Sequence, residues 1–381
     1  MIKLNVSEIY TPLRIFRESS IVIEKGFVKS IKPYWFNDGE TYNFKDLIAA
    51  PGFVDTHIHG HAGYDVNRGS DEEITRLAKY LAKRGVTSFL PTTVSLKHED
   101  LCKVASVIGE LSAEDIVKNG GSRILGLHLE GPYINPEMKG AQNPEAIRRI
   151  ELNELDEYIK LSRNRIRVIT LAPEIEGGLE SIPEIIKRGV IVSLGHSNAS
   201  YEIASEAFRR GASRVTHIFN AMRRFHHRDP GIVGAAFENT NVFIEFIPDL
   251  IHLAKPVVKL VIKVAGGRAV AVTDAISATD LPDGEYELGG LRVEVREGVA
   301  RLSDGTLAGS TLTMIRALRN LYSLGYSLKK VLALLTLYPA RSINELNIGC
   351  LNPGCRGDLI LLNKSLELEK IFIDGEEIYT K

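Results

Sequence analysis

Two histidines one residue apart, His57 and His59, end the stretch Pro51-Gly-Phe-Val-Asp-Thr-His-Ile-His-Gly60, after an apolar run from Leu47 to Val54. On a strand, side chains at i and i+2 share a face. Two imidazoles so placed aim at one point, and imidazole is the commonest protein ligand for transition metals. Alone, His-x-His is a weak signal, because two polar residues at a strand end need no function. The same grammar recurs downstream, however. His128 and Glu130 precede Gly131-Pro132, His196 stands in Gly195-His-Ser197, His217 comes before Ile218-Phe-Asn220, and Asp274 lies in Val272-Thr-Asp-Ala-Ile276. Imidazole nitrogens with carboxylate oxygens suit Zn, Fe or Mn better than Ca. Glu130 has two oxygens and can bridge two cations. His196 and His217 complete one site, and His57, His59 and Asp274 surround a second. Such a centre lowers the pKa of water toward ~7 and polarises a carbonyl. A carboxylate beside that water, Asp274, can take its proton and later deliver it to a leaving group.

These residues need elements to position them. Apolar runs at 47–57, 86–93, 123–129, 166–172, 189–195, 213–219, 241–247 and 268–273 predict eight strands. Helical patterns alternate with them near 71–84, 98–111, 144–162, 178–188, 199–210 and 254–265. In the first, Ile74, Leu77, Ala78 and Leu81 recur at helical spacing and Gly85 closes it. Near-continuous apolar strands alternating with helices predict a parallel sheet covered on both faces. Eight units of this size predict an α/β fold, a (β/α)8 TIM-type barrel. The marked polar residues all fall at strand C-terminal ends, the face on which barrel active sites are built.

Residues 1–46 read instead as short strands, with a hairpin over 20–31 turning near Lys25-Gly26. After the eighth strand, 286–302 reads as antiparallel strands, followed by helices near 310–323 and 327–337. From about 346 the tail returns to short strands. The predicted organisation is a small β-sandwich domain made from 1–46 and 346–381, with the barrel, 47–345, inserted between its halves.

The 381 residues, 44% hydrophobic and 25% charged, have the composition of a soluble globular protein. A formal net charge of −1 gives no bulk attraction to nucleic acid or to a membrane. Cys102, Cys350 and Cys355 are too few for a disulfide framework and odd in number, which predicts a reducing compartment. Cys350 and Cys355 lack a second pair and read as having no zinc role. The N-terminus shows no signal-peptide core, and no apolar run reaches the ~20 residues of a membrane span. The expected location is the cytoplasm.

Several motifs, in order along 47–345, carry a resemblance. The Pro-Gly-x-x-Asp-x-His-x-His opening resembles the amidohydrolase superfamily. His128-Leu-Glu-Gly-Pro-Tyr133, Lys139-Gly-Ala-Gln-Asn143, Thr216-His-Ile-Phe-Asn-Ala-Met222, Arg228-Asp-Pro-Gly231 and Gly305-Thr-Leu-Ala-Gly-Ser310 look like the N-acetylglucosamine-6-phosphate deacetylase family. The resemblance implies a homodimeric enzyme that hydrolyses the acetamide of a sugar phosphate in amino-sugar catabolism. It implies one or two divalent ions per subunit (Zn, Fe, Mn or Co). Glu130, His196 and His217 would be the main ligands, His57 and His59 a second set, and Asp274 the acid/base. Ala141, Gln142, Asn220, Ala221, Arg228, Asp249, His252, Leu307, Ala308 and Gly309 match substrate-binding positions. The matching arginine reaches across the dimer in that family, so Arg228 is expected to serve the neighbouring site.

There are departures. Gln142 stands where part of the family has His, Leu250 where glycine is usual, and His226-His227 form an added basic pair. Strand four ends Leu171-Ala-Pro173 without a lysine, against amidohydrolases whose metals share a carboxylated lysine. The rival readings are a related amidohydrolase acting on another N-acyl amino sugar or a cyclic amide, an inactive scaffold, and a sugar-binding module. Metal content and acetate release discriminate among them.

Overall fold

A computed structural model describes residues 1–35 and 40–381. Strands Phe53–Ile58, Val86–Thr93, Leu127–Glu130, Ile166–Leu171, Ile191–Leu194, Arg214–Val215, Phe243–Phe246 and Ala269–Ala271 pair in parallel, in chain order. A parallel bridge between Ile58 and Ala275 joins the two ends of this path. There Asp274 N–H donates to His57 O and His59 N–H to Ala275 O, each at 2.9 Å. The closure of the ring is thus what brings Asp274 beside the two histidines, 215 or more residues away in sequence.

Helices cover the outside, as the periodicity predicts. Asp71–Lys83 buries Ile74, Leu77, Ala78 and Leu81. Its start is set by Ser70, whose side chain accepts from Glu73 N–H, and three acidic residues occupy its first turn. Both devices satisfy or complement the unpaired amides of a helix N-terminus. Every residue of Val86–Thr93 is buried, which explains its unbroken apolar pattern.

Several boundaries differ from expectation. The single strand expected over 47–57 divides at Gly52. Glu40–Pro51 belongs to a second sheet and Phe53–Ile58 to the barrel. A Cβ at Gly52 would overlap the Thr87 side chain, so the crossing point admits only glycine. The expected 144–162 helix is confined to Leu152–Leu161. Upstream of it the Arg148 guanidinium holds an irregular segment, donating to Leu96 O at 3.0 Å, Ala146 O at 2.9 Å and Tyr158 OH at 3.0 Å. Gly231–Glu238 is an unexpected helix; it buries residues all round and contains two glycines, so it shows no amphipathic stripe.

Both ends of the chain build one seven-stranded sheet. Its order is Glu376–Thr380, Leu368–Ile373, Leu359–Leu362, Glu40–Pro51, Ile2–Tyr10, Ile15–Glu24, Phe27–Pro33. The 20–31 hairpin turns at Lys25-Gly26, both with positive φ, as expected. Leu4, Val6, Ile21, Ile23, Leu359 and Phe372 form its own apolar core. One reading of the cysteines is corrected. Cys350 and Cys355 are joined in a disulfide. Three cysteines are too few for a framework, but a five-residue separation across Asn352-Pro-Gly354 still brings their Cα atoms to 6.0 Å, within bonding reach. Among the described residues no helix is long and apolar enough to cross a membrane.

Candidate active site

At the C-terminal mouth of the barrel four imidazoles surround one carboxylate. Glu130 Oε1 lies 2.8 Å from His217 Nε2, 3.1 Å from His196 Nε2 and 3.5 Å from His57 Nε2. Glu130 Oε2 lies 3.4 Å from His59 Nε2. Asp274 Oδ1 is 3.1 Å from His59 Nε2 and 3.4 Å from His57 Nε2. All of these side chains are buried. Two ligand-competent groups result, His57–His59–Glu130 and Glu130–His196–His217, sharing Glu130 as the sequence suggests.

The rings are aimed by what holds their other nitrogens. His59 Nδ1–H donates to Thr92 O at 3.0 Å and His196 Nδ1–H to Met138 O at 2.9 Å. Each ring is thereby fixed with Nε2 turned to Glu130, the nitrogen that offers its lone pair once an ion has displaced its proton. His57 Nδ1 sits 2.8 Å from Glu245 Oε1, and Glu245 Oε2 accepts from Arg214 Nη2 at 2.7 Å. Glu245 Oε1 also accepts His217 N–H at 3.1 Å, so one carboxylate orients members of both groups. Gln142 Nε2 donates to Glu130 Oε2 at 2.7 Å while its Oε1 accepts Ser95 N–H at 2.5 Å. Gln142 thus spends its amide on orienting Glu130, not only on substrate. His196, His217 and Asp274 adopt φ of 49°, 27° and 51°. Left-handed backbone at non-glycine residues costs about 1–3 kcal/mol each and concentrates at functional sites.

The donor set fits a divalent cation. Glu130, Asp274 and Glu245 place three carboxylates against one buried guanidinium, Arg214. Without an ion the histidines answer this field by taking up protons. Burial works to lower His59, but its bonds to Asp274 and Glu130 outweigh that and lift it to about 9. Burial likewise opposes charge on His57, yet Glu245, Glu130 and Asp274 raise it well above its ordinary value. Glu245, although burial raises it, is held at about 2 by His57 and Arg214. A cation must displace the His59 proton, which is bound below about pH 9 and lost above it. Apparent metal affinity is therefore expected to strengthen steadily from about pH 6 to about pH 9. Metal titration of the ion-free protein across that range checks this; a flat profile contradicts it.

Above the cluster opens a cleft of about 390 Å³ lined by His59, Glu130, Ala141, Gln142, His196, His217, Asn220, Ala221, His252, Asp274, Leu307 and Gly309, with Arg301 at its wall. Asp249 lies behind the lining and orients His252, its Oδ2 2.6 Å from Nδ1. Ala308 is fully buried beneath Leu307 and Gly309. A Cβ on Gly309 would come within 2.9 Å of Asp274 O and 2.6 Å of Ile276 Cγ2; only glycine lets that loop approach the acid/base candidate. Leu250 has φ 68°, which explains why glycine suits this position and what the leucine costs.

Arg228 does not line the chain's own cleft and is exposed. Its loop is a tight turn: His226 and Asp229 exchange backbone hydrogen bonds, and Arg223 Nη2 pairs with Asp229 at 2.6 Å. Asn220 N–H donates to His217 O at 3.0 Å. His128, which ends the third strand beside Glu130, is no ligand. Its Nε2 bonds Thr170 Oγ1 at 2.8 Å, and burial drives it well below its ordinary pKa. Glu245, Arg214 and Arg301 were missed by the sequence reading. Glu245 and Arg214 had a signal, a charge inside an apolar strand.

Residues 48–378 match the sequence profile of the Amidohydrolase family. The chain belongs to the amidohydrolase family. Among curated members, it is 37% identical to an N-acetylgalactosamine-6-phosphate deacetylase of Escherichia coli O157:H7 over 86% of this chain and 87% of that one. It is 33% identical to the N-acetylglucosamine-6-phosphate deacetylase of Vibrio furnissii over 94% and 90%. Among solved amidohydrolases it superposes on the N-acetylglucosamine-6-phosphate deacetylase of Thermotoga maritima with a TM-score of 0.89 at 34% identity, covering all of both chains. The Mycobacterium smegmatis deacetylase in complex with N-acetyl-D-glucosamine-6-phosphate gives 0.92 at 29% identity over 100% of this chain and 99% of that one.

Proposed function

We infer that this amidohydrolase hydrolyses N-acetyl-D-glucosamine 6-phosphate to D-glucosamine 6-phosphate and acetate, a step of amino-sugar catabolism. The observation that carries this is the Glu130-centred histidine cluster with Asp274 against it on the floor of a sugar-sized cleft. Glu130, His196 and His217 would hold one divalent ion, and His57 and His59 with Glu130 a second. A bound ion supplies Lewis acidity there, polarising the acetamide carbonyl and acidifying a neighbouring water. Asp274 takes the proton of the attacking water. As the carbon–nitrogen bond breaks, Asp274 gives that proton to the departing amine, and acetate carries the water oxygen. His252, held by Asp249, faces the sugar together with Ala141 and the Leu307–Gly309 loop.

The phosphate needs a cation. Arg301 is at the wall of the cleft, whereas Arg228 faces outward. This supports a twofold homodimer in which Arg228 of the partner subunit enters the site, with Asn220 and Ala221 beneath the phosphate. The phosphate's charge also bars free passage across a membrane, which suits a cytoplasmic location. A charged hydrogen bond to phosphate is worth about 1.5–3 kcal/mol, so Arg228→Ala should lower kcat/KM by roughly 10–150-fold. Activity on the unphosphorylated sugar should barely change. Mixing Arg228→Ala with Asp274→Asn chains, after exchange is shown with tagged subunits, should restore ~25% of parent activity, since half the dimers carry one intact site. Activity that stays at the mean of the two variants would place Arg228 in its own subunit's service.

The Escherichia coli relative named for the galactosamine epimer favours a second reading, activity on the 4-epimer. Acetate release from both sugar phosphates, each with added Zn, Fe, Mn or Co, tests both. Failure to release acetate from either under every metal would end the hydrolase reading.

A further inference from the structure

On the flank of the barrel, away from the cleft, three metal-competent side chains converge between two helices. His98 and Cys102 stand one turn apart on the helix His98–Glu110, and Glu157 faces them from Leu152–Leu161. His98 Nε2 lies 3.6 Å from Cys102 Sγ and 3.2 Å from Glu157 Oε2. A tetrahedral ion with bonds near 2.0 Å to N and O and 2.3 Å to S requires edges of about 3.5 Å and about 3.3 Å. The observed separations already match that spacing.

A second observation concerns the ring of His98. Its Nδ1 lies 2.9 Å from Tyr158 OH. Tyr158 OH accepts from Arg148 Nη2 at 3.0 Å and donates toward Glu154 Oε2 at 3.4 Å. In the ion-free site Nε2 faces the Glu157 carboxylate and bears the proton; when an ion takes that proton's place, Nδ1–H donates to Tyr158 OH, which keeps the ring aimed. A metal-binding histidine is oriented in the same way by a partner on its other nitrogen. Tyr158 is fully buried, so the anchor is rigid.

We propose that His98, Cys102 and Glu157 form a peripheral site for a borderline-soft divalent cation of the Zn2+ or Co2+ class. Sulfur, nitrogen and one oxygen select such an ion over Mg2+ or Ca2+. Burial and the carboxylates of Glu157, Glu154 and Glu99 push the free Cys102 thiol up to about 11. Binding releases that proton to solvent and replaces it with a charge the same carboxylates favour. The ion ties the two helices together just beyond Ser95, which holds Gln142 and through it Glu130.

Co2+ titration of the enzyme with its cleft ions already in place separates this site from the active site, which contains no sulfur. The expected result is a near-ultraviolet thiolate-to-cobalt charge-transfer band in the parent. It should be lost in Cys102→Ser and need several-fold more Co2+ in His98→Ala and Glu157→Gln. Zn2+ should remove the band, slow the reaction of Cys102 with a thiol reagent severalfold, and raise Tm in the parent but not in Cys102→Ser. Absence of the band in the parent at excess Co2+ overturns the proposal. So does a band of undiminished strength in Cys102→Ser, which would show that Cys102 is not the ligand.

Discussion

Asp274→Asn is expected to turn over substrate about 10²–10⁴-fold more slowly than the parent, with substrate binding retained. The amide occupies the same volume beside His57 and His59 but cannot accept a proton from water. In the parent, burial would raise Asp274, but the facing His57 and His59 hold it below its ordinary value. It therefore enters the reaction ionised and ready to act as a base. Backbone geometry should survive the change, because Asp274 N–H and O are held by His57 O and Ser310 N–H rather than through the side chain. Steady-state kinetics from about pH 5 to about pH 9 give the answer. Near-parental turnover throughout would move the proton transfer to another group.

Glu130→Ala is expected to strip the site of both ions and to reduce activity as far as complete metal removal does. Glu130 is the one carboxylate belonging to both ligand groups. The paired variant His57→Ala/His59→Ala should behave differently, keeping the ion held by Glu130, His196 and His217 and losing only the weaker one. Elemental analysis in a Cys102→Ser background, which removes the peripheral site, should read about two ions per chain with the cleft intact, about one in the paired variant and about none in Glu130→Ala. A paired variant that lost all its metal would refute the division into a main and a second site.

The chemical centre was legible because buried parallel strands are nearly all apolar. Against that background His57, Glu130, His196 and Asp274 are conspicuous, and their places at strand ends agree with one another. The same contrast existed at Glu245 and Arg214. They were passed over because they lie inside the strands, and only the folded ring shows that they point to the back of His57. Arg148 left no local trace, since what breaks the helix before Leu152 is a set of bonds to residues up to 52 positions away. The Gly52 crossing was invisible for the opposite reason. The buried end of one strand, residues 49–51, runs into the fully buried Phe53–Ile58, and the two make one continuous apolar pattern across the boundary between sheets. Arg301 lies in a polar hairpin where one more cation carries no contrast.

The strand Glu40–Pro51 has a further consequence, one of timing. It runs on almost directly into Phe53–Ile58, yet one of its neighbours in the sheet is Leu359–Leu362. During ribosomal synthesis the first four strands can pair as soon as they emerge, but this edge stays unpaired until Leu359–Leu362, about three hundred residues later, has been made. An open strand edge is a template for association with other chains, and long-range pairing is slow to form. The nascent protein must therefore shelter this edge for most of its synthesis. A chain released before Leu359 would leave open one edge of the strand that leads straight into His57 and His59.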